Sequence, residues 1–101
     1  MEVKNGNVFV KTVMFAEFLG TCGLMMMVNL SNDTAIKALA VYVMIMLTGP
    51  YSGGHLNPAV TFGVYIEQKE FSKNLMLMIG ILLSQIVGAL FALVIGYMLR
   101  V

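Results

Sequence analysis

The segment from Gly53 to Thr61 contains the side chains most capable of orienting another molecule, in the order Gly-Gly-His-Leu-Asn-Pro-Ala-Val-Thr. Asn is a favoured N-cap and Pro is favoured at the first helical position, so Asn57, Pro58 and Ala59 predict a helix start. The first amides of a helix lack intrahelical partners, and its N-terminus carries about half a positive charge. Inside a membrane, that end would repel cations, and Asn57 would orient a neutral, hydrogen-bonding solute. The alternative is an ordinary capped helix on a surface loop.

Three further polar side chains are predicted to support this loop. Glu17 is alone in an apolar run, where an ionisable group is costly and usually faces a protein interior or a cavity. It could be a proton or cation site, or it could accept hydrogen bonds from loop amides. We favour the second role because loop backbone at that depth needs partners. His55 is expected to brace the loop, with Glu17 as a candidate partner, and Gln85 could tie the same loop from a later apolar run.

Other kinds of chemistry are not indicated. The sequence has one histidine and one cysteine, which is too little for a metal site, and it offers no catalytic triad, phosphate loop or carboxylate pair. We therefore predict no enzyme activity, no metal and no cofactor. The net charge of +1 gives no reason to expect a nucleic acid partner.

The composition indicates that a lipid bilayer positions these residues. Of the 101 residues, 59% are apolar and 11% are charged, whereas soluble domains are roughly one quarter charged. Apolar stretches cover about residues 12–30, 35–49 and 75–99, and a membrane span needs roughly 20 helical residues. The first stretch continues well past the apolar core of a typical signal sequence and lacks a small-residue cleavage pattern, so no cleavable signal is expected. The sequence predicts a multi-pass integral membrane protein, of the plasma membrane, an intracellular membrane or an organelle such as the mitochondrial inner membrane.

The segment over about residues 50–66 interrupts this pattern. Gly49-Pro50 is predicted to end the second helix, and residues 51–56 are predicted to form a loop. The apolar residues 59–66 would make a helix about 12 Å long, too short to cross. Irregular backbone is tolerated in a membrane only when it is buried in protein or lines a water-filled cavity. We therefore predict an all-α fold for residues 1–101, with three transmembrane helices and one re-entrant half-helix.

The distribution of basic residues favours one orientation. The positive-inside rule places the N-terminus and the half-helix loop on the cytoplasmic or matrix side, although inverse or dual insertion stays open. The count compares four residues on that side with two on the other, namely Lys4, Lys11, Lys69 and Lys73 against Lys37 and Arg100.

Three motifs, which follow one another along the chain in the family's order, resemble the aquaporin, or major intrinsic protein, family over nearly the whole chain. Residues 52–61 resemble the first Asn-Pro-Ala loop of the family almost residue for residue. Ala16-Glu17-Phe18-Leu19-Gly20-Thr21 is similar to its first-helix signature, and Gln85-Ile86-Val87-Gly88-Ala89 to its third-helix signature. The resemblance implies two inverted repeats whose half-helices meet at the midplane, pass water and exclude protons. It also implies that Glu17, His55 and Gln85 support the loop, that Asn57 faces the pore, and that subunits form tetramers.

Two features depart from the family pattern. The sequence ends after the first repeat, so we expect it to need a complementary half, either a second copy inverted in the membrane or a separate chain. Lys37 falls at or near the bulky aromatic position of the family's outer constriction. A cation there would narrow or plug the route, or extend to the membrane surface.

These observations leave three functional hypotheses. The first is a channel for water or small neutral solutes, assembled from two halves. The second is a structural subunit of a larger membrane complex that keeps the fold and has little or no transport. The third is a dual-topology, proton-coupled exporter that uses Glu17, but such proteins have four full spans and no re-entrant Asn-Pro loop.

Overall fold

The structure is a computed structural model that describes residues 6–100, and these residues form four helices. The helices are α1 (Gly6–Leu30), α2 (Thr34–Ser52), α3 (Pro58–Glu67) and α4 (Leu75–Arg100). Three of them are long enough and apolar enough to cross a membrane: α1 from Phe9 onward, α2 and α4. With ten residues, α3 is about 15 Å long and cannot cross. The predicted all-α membrane fold with three long helices and one half-length helix is confirmed.

Helix α1 is the centre of the bundle, because it packs against both α2 and α4. Helices α1 and α4 run parallel, and Arg100 at the end of α4 donates a hydrogen bond to the Asn29 carbonyl oxygen, 3.1 Å away. At the other end of the bundle, Val13 of α1 shares a small buried core with Tyr65, Met78 and Ile81. Helix α3 packs on α4 and returns the chain to this second end.

The two ends of the bundle differ in their basic residues. We call the end that holds the start of α1, the end of α2 and the start of α4 the loop end. Of the four lysines assigned to one side by the sequence, Lys4 lies outside the described residues. The other three lie toward the loop end, and Lys37 and Arg100 lie toward the opposite end. The compartment that each end faces stays a prediction.

The end of α2 corrects one sequence-based boundary. Gly49-Pro50 does not end the helix, which continues to Ser52 with Pro50 inside it. Proline removes one backbone donor, but the last turn still closes because Gly53 adopts a left-handed conformation (φ 87°) and donates its N–H to the Gly49 carbonyl oxygen at 2.9 Å. At the start of α2, the Asp33 side chain caps the helix by accepting from the amides of Ala35 and Ile36.

Candidate functional site

The loop between α2 and α3 has a strained backbone that is held by packing. Gly53, Gly54 and Leu56 all have left-handed dihedral angles, with φ values of 87°, 66° and 55°. That conformation is unfavourable for leucine and persists only where surrounding structure fixes it. Leu56 is 5% exposed, and its side chain fills the space beside Gly20, where an added Cβ would lie 2.5 Å from Leu56 Cδ2. The missing side chain at Gly20 therefore makes room for the loop.

Glu17 reaches this loop from α1 and is fully buried. Its carboxylate accepts hydrogen bonds from the backbone N–H groups of His55 (3.1 Å) and Leu56 (2.8 Å). It also accepts from the Ser52 hydroxyl (2.6 Å) and the Gln85 side-chain amide (2.8 Å). All four partners are donors, which matches a deprotonated carboxylate acting only as an acceptor. One side chain thus satisfies two amides of the loop backbone.

His55 and Gln85 meet on a residue that the sequence did not single out. The His55 ring makes no hydrogen bond to Glu17; its Nδ1 instead lies 3.0 Å from the hydroxyl oxygen of Thr61. Gln85 Nε2 also contacts that oxygen, at 2.9 Å. Thr61 is fully buried on α3, one turn after Asn57. The available signal was a hydroxyl residue four positions after the N-cap of an apolar half-helix.

Asn57 caps α3 through its side-chain oxygen. Asn57 Oδ1 accepts from the Ala59 amide at 2.8 Å, and Pro58 occupies the first helical turn, as the sequence predicts. Asn57, Pro58 and Ala59 are all exposed in the described chain. Because the cap uses only the oxygen, the Asn57 NH₂ group stays available as a donor at the positive end of the half-helix.

The structure does not bring Lys37 to the loop. Lys37 is half-buried in the first turn of α2, and its backbone N–H donates to the Asp33 carbonyl oxygen at 3.0 Å. Ser52, where the loop begins, is roughly 20 Å farther along the helix at 1.5 Å per residue. The constriction predicted at Lys37 would therefore lie at the end of the bundle opposite the loop end.

A cavity of about 450 Å³ lies at the loop end, beneath the half-helix. Its polar lining comes from the loop, from α3 and its following turn, and from the approach to α4, namely Ser52, His55, Tyr65, Gln68, Glu70 and Asn74.

Within residues 6–100, no group of three His, Cys, Asp or Glu side chains could hold a metal ion. Two buried polar atoms of the described chain have no hydrogen-bond partner, Thr21 Oγ1 and Gln85 Oε1.

Comparison with known proteins gives one family. The family model described as "Major intrinsic protein" matches residues 6–100. The chain is 36% identical over 89 residues to the glycerol uptake facilitator protein-like 6 of Lactiplantibacillus plantarum, covering 76% of this chain and 38% of that protein. It is 38% identical over 50 residues to the aquaporin PIP2-7 of Arabidopsis thaliana, covering 50% of this chain and 17% of that protein. The match spans less than half the length of either relative. No solved structure gives a significant match.

Proposed function

Since this chain belongs to the major intrinsic protein family of membrane channels, we propose that it forms half of a pore for water or small neutral solutes. The observation that carries the proposal is the half-helix that begins at Asn57 and is held by the buried Glu17 carboxylate. Support by Glu17, His55 and Gln85, and passage of the solute past Asn57, Pro58 and Ala59, are parts of the same proposal.

The direction of the loop peptides supports a polar route. The N–H groups of His55 and Leu56 point toward Glu17. In a trans peptide the carbonyl points opposite to the N–H, and the described chain has no cis peptide bond. The carbonyl oxygens of Gly54 and His55 therefore point away from Glu17, as acceptors. Together with the Asn57 NH₂ donor, they suit a solute that both donates and accepts hydrogen bonds and carries no charge.

The uncovered face of α3 supports the need for a complementary half. Helix α3 buries Thr61 and Tyr65 against the rest of the chain, whereas Ala59, Phe62 and Ile66 are exposed. A helix end with free amides is tolerated within a membrane only beside protein or a water-filled cavity. We propose that a second half-helix covers this face, supplied by a second copy in the opposite orientation, by a separate chain or by another segment of the same protein.

Gly63 supports the same interface. An added Cβ at Gly63 meets nothing within 4 Å, whereas those at Gly23 and Gly88 would lie 2.5 Å from a neighbouring helix. Glycine inside a helix costs about 1 kcal/mol relative to alanine, and small residues in membranes permit close helix approach. The space beside Gly63 fits a helix from the complementary half.

The function is tested by osmotic swelling of proteoliposomes that contain the assembled protein, followed by light scattering. We expect faster water entry than in empty vesicles. Asn57→Asp should keep the cap oxygen but lose the NH₂ donor and add a charge, so water entry should fall while the native particle size is unchanged. The channel would be refuted if vesicles that contain correctly assembled wild-type protein swell no faster than empty vesicles.

Lys37 favours the second candidate function, a structural subunit of a larger membrane complex with little or no transport. A half-buried cation near the start of α2 is suited to ion pairing with a neighbouring chain or to blocking a pore. This alternative requires that the protein co-purifies with other membrane chains in one large particle and gives no swelling.

A further inference from the structure

The Gln85 side-chain amide has only one acceptable orientation. Its Nε2 lies 2.8 Å from Glu17 Oε1 and 2.9 Å from Thr61 Oγ1, and the residue is 1% exposed. Exchanging its oxygen and nitrogen would place a carbonyl oxygen against the Glu17 carboxylate, with no hydrogen between two acceptors. Gln85 Nε2 therefore donates one of its two hydrogens to Glu17 and the other to Thr61.

This orientation determines the role of the Thr61 hydroxyl. Its oxygen accepts from Gln85, so its single hydrogen needs an acceptor. The other side-chain partner of that hydroxyl in the described chain is His55 Nδ1, at 3.0 Å. If Nδ1 carried a hydrogen, the Thr61 hydrogen would be buried without an acceptor, which is unfavourable. Thr61 therefore donates to an unprotonated Nδ1.

We infer that Thr61, oriented by Gln85, is a positioning residue that fixes the neutral His55 ring as the tautomer with its hydrogen on Nε2. A neutral imidazole carries a single ring hydrogen, and which nitrogen holds it is set by the partner of the other. The consequence is that His55 offers an N–H donor, not an acceptor, on the ring edge away from Thr61.

That ring edge lies at the cavity beneath the half-helix. His55 Nε2 lies 3.4 Å from where a Cβ on Gly53 would be, and both His55 and Gly53 line the cavity of about 450 Å³. An N–H donor there binds an acceptor oxygen, such as that of water or of the hydroxyl group of a small neutral solute. Assigning the oxygen to a passing solute rests on the proposed function, whereas the tautomer does not.

The tautomer can be measured directly because His55 is the single histidine of the 101-residue sequence. The protein is labelled with ¹⁵N,¹³C-histidine, reconstituted in lipid vesicles and studied by solid-state NMR at a pH at which the ring is neutral. We expect one dominant pair of ring signals, with a protonated Nε2 and an unprotonated Nδ1. A dominant Nδ1–H form, or comparable amounts of both tautomers, would overturn the inference.

Matched threonine variants test the part played by Thr61. Thr61→Val removes the hydroxyl and should give a mixture of tautomers, whereas Thr61→Ser keeps the hydroxyl and should keep the Nε2–H form. Thr21→Val is the control, since Thr21 is also buried but its hydroxyl has no partner in the described chain. An unchanged pure Nε2–H ring in Thr61→Val, or loss of that form in Thr61→Ser, would refute the positioning role. Absence of swelling with the Nε2–H ring intact would instead refute only the proposed channel.

Discussion

Glu17 and the loop amides stabilise each other. Burying a carboxylate costs several kcal/mol, and hydrogen bonds to a charged group contribute about 1.5–3 kcal/mol each. The four donors around Glu17 offset that cost, and two of them are the backbone amides of His55 and Leu56. These amides belong to irregular backbone and would otherwise be unsatisfied. The same contacts therefore account for a charge in an apolar helix and for a loop inside a membrane.

Replacing Glu17 by glutamine tests this mutual dependence. The new NH₂ group would face at least one donor, and the remaining hydrogen bonds would have a neutral amide oxygen as their acceptor in place of a charged carboxylate. We expect Glu17→Gln to lower the free energy of unfolding by about 2–4 kcal/mol. The measurement is thermal or denaturant unfolding in detergent or lipid.

Glu67→Gln is the matched control because Glu67 is exposed at the end of α3, and it should change stability by less than about 0.5 kcal/mol. Equal stability of Glu17→Gln and the wild-type protein would contradict our account of the carboxylate.

Side chains that are polar and isolated in apolar runs could be found from the sequence. Glu17 and Gln85 stand out in this way, and the structure places Glu17 at the loop and joins Gln85 to Glu17. The Gln85–Thr61 contact could not be found, because it depends on how α3 is rotated against α4. Periodicity is a poor guide to that rotation in a helix that is apolar on nearly all sides.

The contact between α1 and α4 depends on the missing side chain of Gly88. A Cβ added at Gly88 would lie 2.5 Å from the Phe18 carbonyl oxygen and 3.3 Å from the Cys22 amide nitrogen. Both are backbone atoms that cannot turn aside. This close approach brings Gln85, one turn earlier on α4, within hydrogen-bond distance of Glu17.

Gly88→Ala should therefore separate α1 from α4 and weaken the Gln85–Glu17 bond. We expect a loss of about 1–3 kcal/mol in unfolding free energy, the range typical of overpacking. Gly96→Ala is the control on the same helix, since its Cβ would meet only the Arg100 side chain at 4.0 Å. If Gly88→Ala were as stable as Gly96→Ala in the same unfolding assay, the two helices would not be as close as described.

The half-helix could be predicted from the sequence, whereas the end of α2 could not. Asn57-Pro58 specifies a start through local capping chemistry that needs no tertiary contact. Pro50 suggested a stop, but the observed stop is set by the left-handed Gly53 and by the Ser52–Glu17 hydrogen bond. That bond joins residues 35 positions apart, which local sequence rules do not consider.

For the assembled particle, the exposed face of α3 makes a geometric prediction. If the complementary half is a second copy in the opposite orientation, two half-helix starts meet near the midplane. Ala59→Cys in a Cys22→Ala background should then form a disulfide between copies in the membrane, since disulfides need Cα atoms within about 7 Å. Crosslinked dimer on a non-reducing gel is the measurement.

Met76→Cys in the same background is the control. Met76 is 78% exposed at the loop end of α4, so in two inverted copies these residues lie near opposite membrane surfaces, roughly 30 Å apart. We expect no crosslink there. A crosslink at Met76 alone would indicate parallel copies, and none at either site in a particle of several copies would assign the complement to another chain or segment.

The long sequence separation of the Glu17 contacts imposes an order on biosynthesis. Glu17 leaves the ribosome first, its loop partner at His55 follows 38 residues later, and Gln85 follows 68 residues after Glu17. The nascent first helix must therefore enter the translocation machinery with its carboxylate unmatched. The hydrogen bonds that hold the half-helix can be completed only after the last helix has been inserted beside the first. Insertion of the final helix therefore completes an arrangement that began with the first.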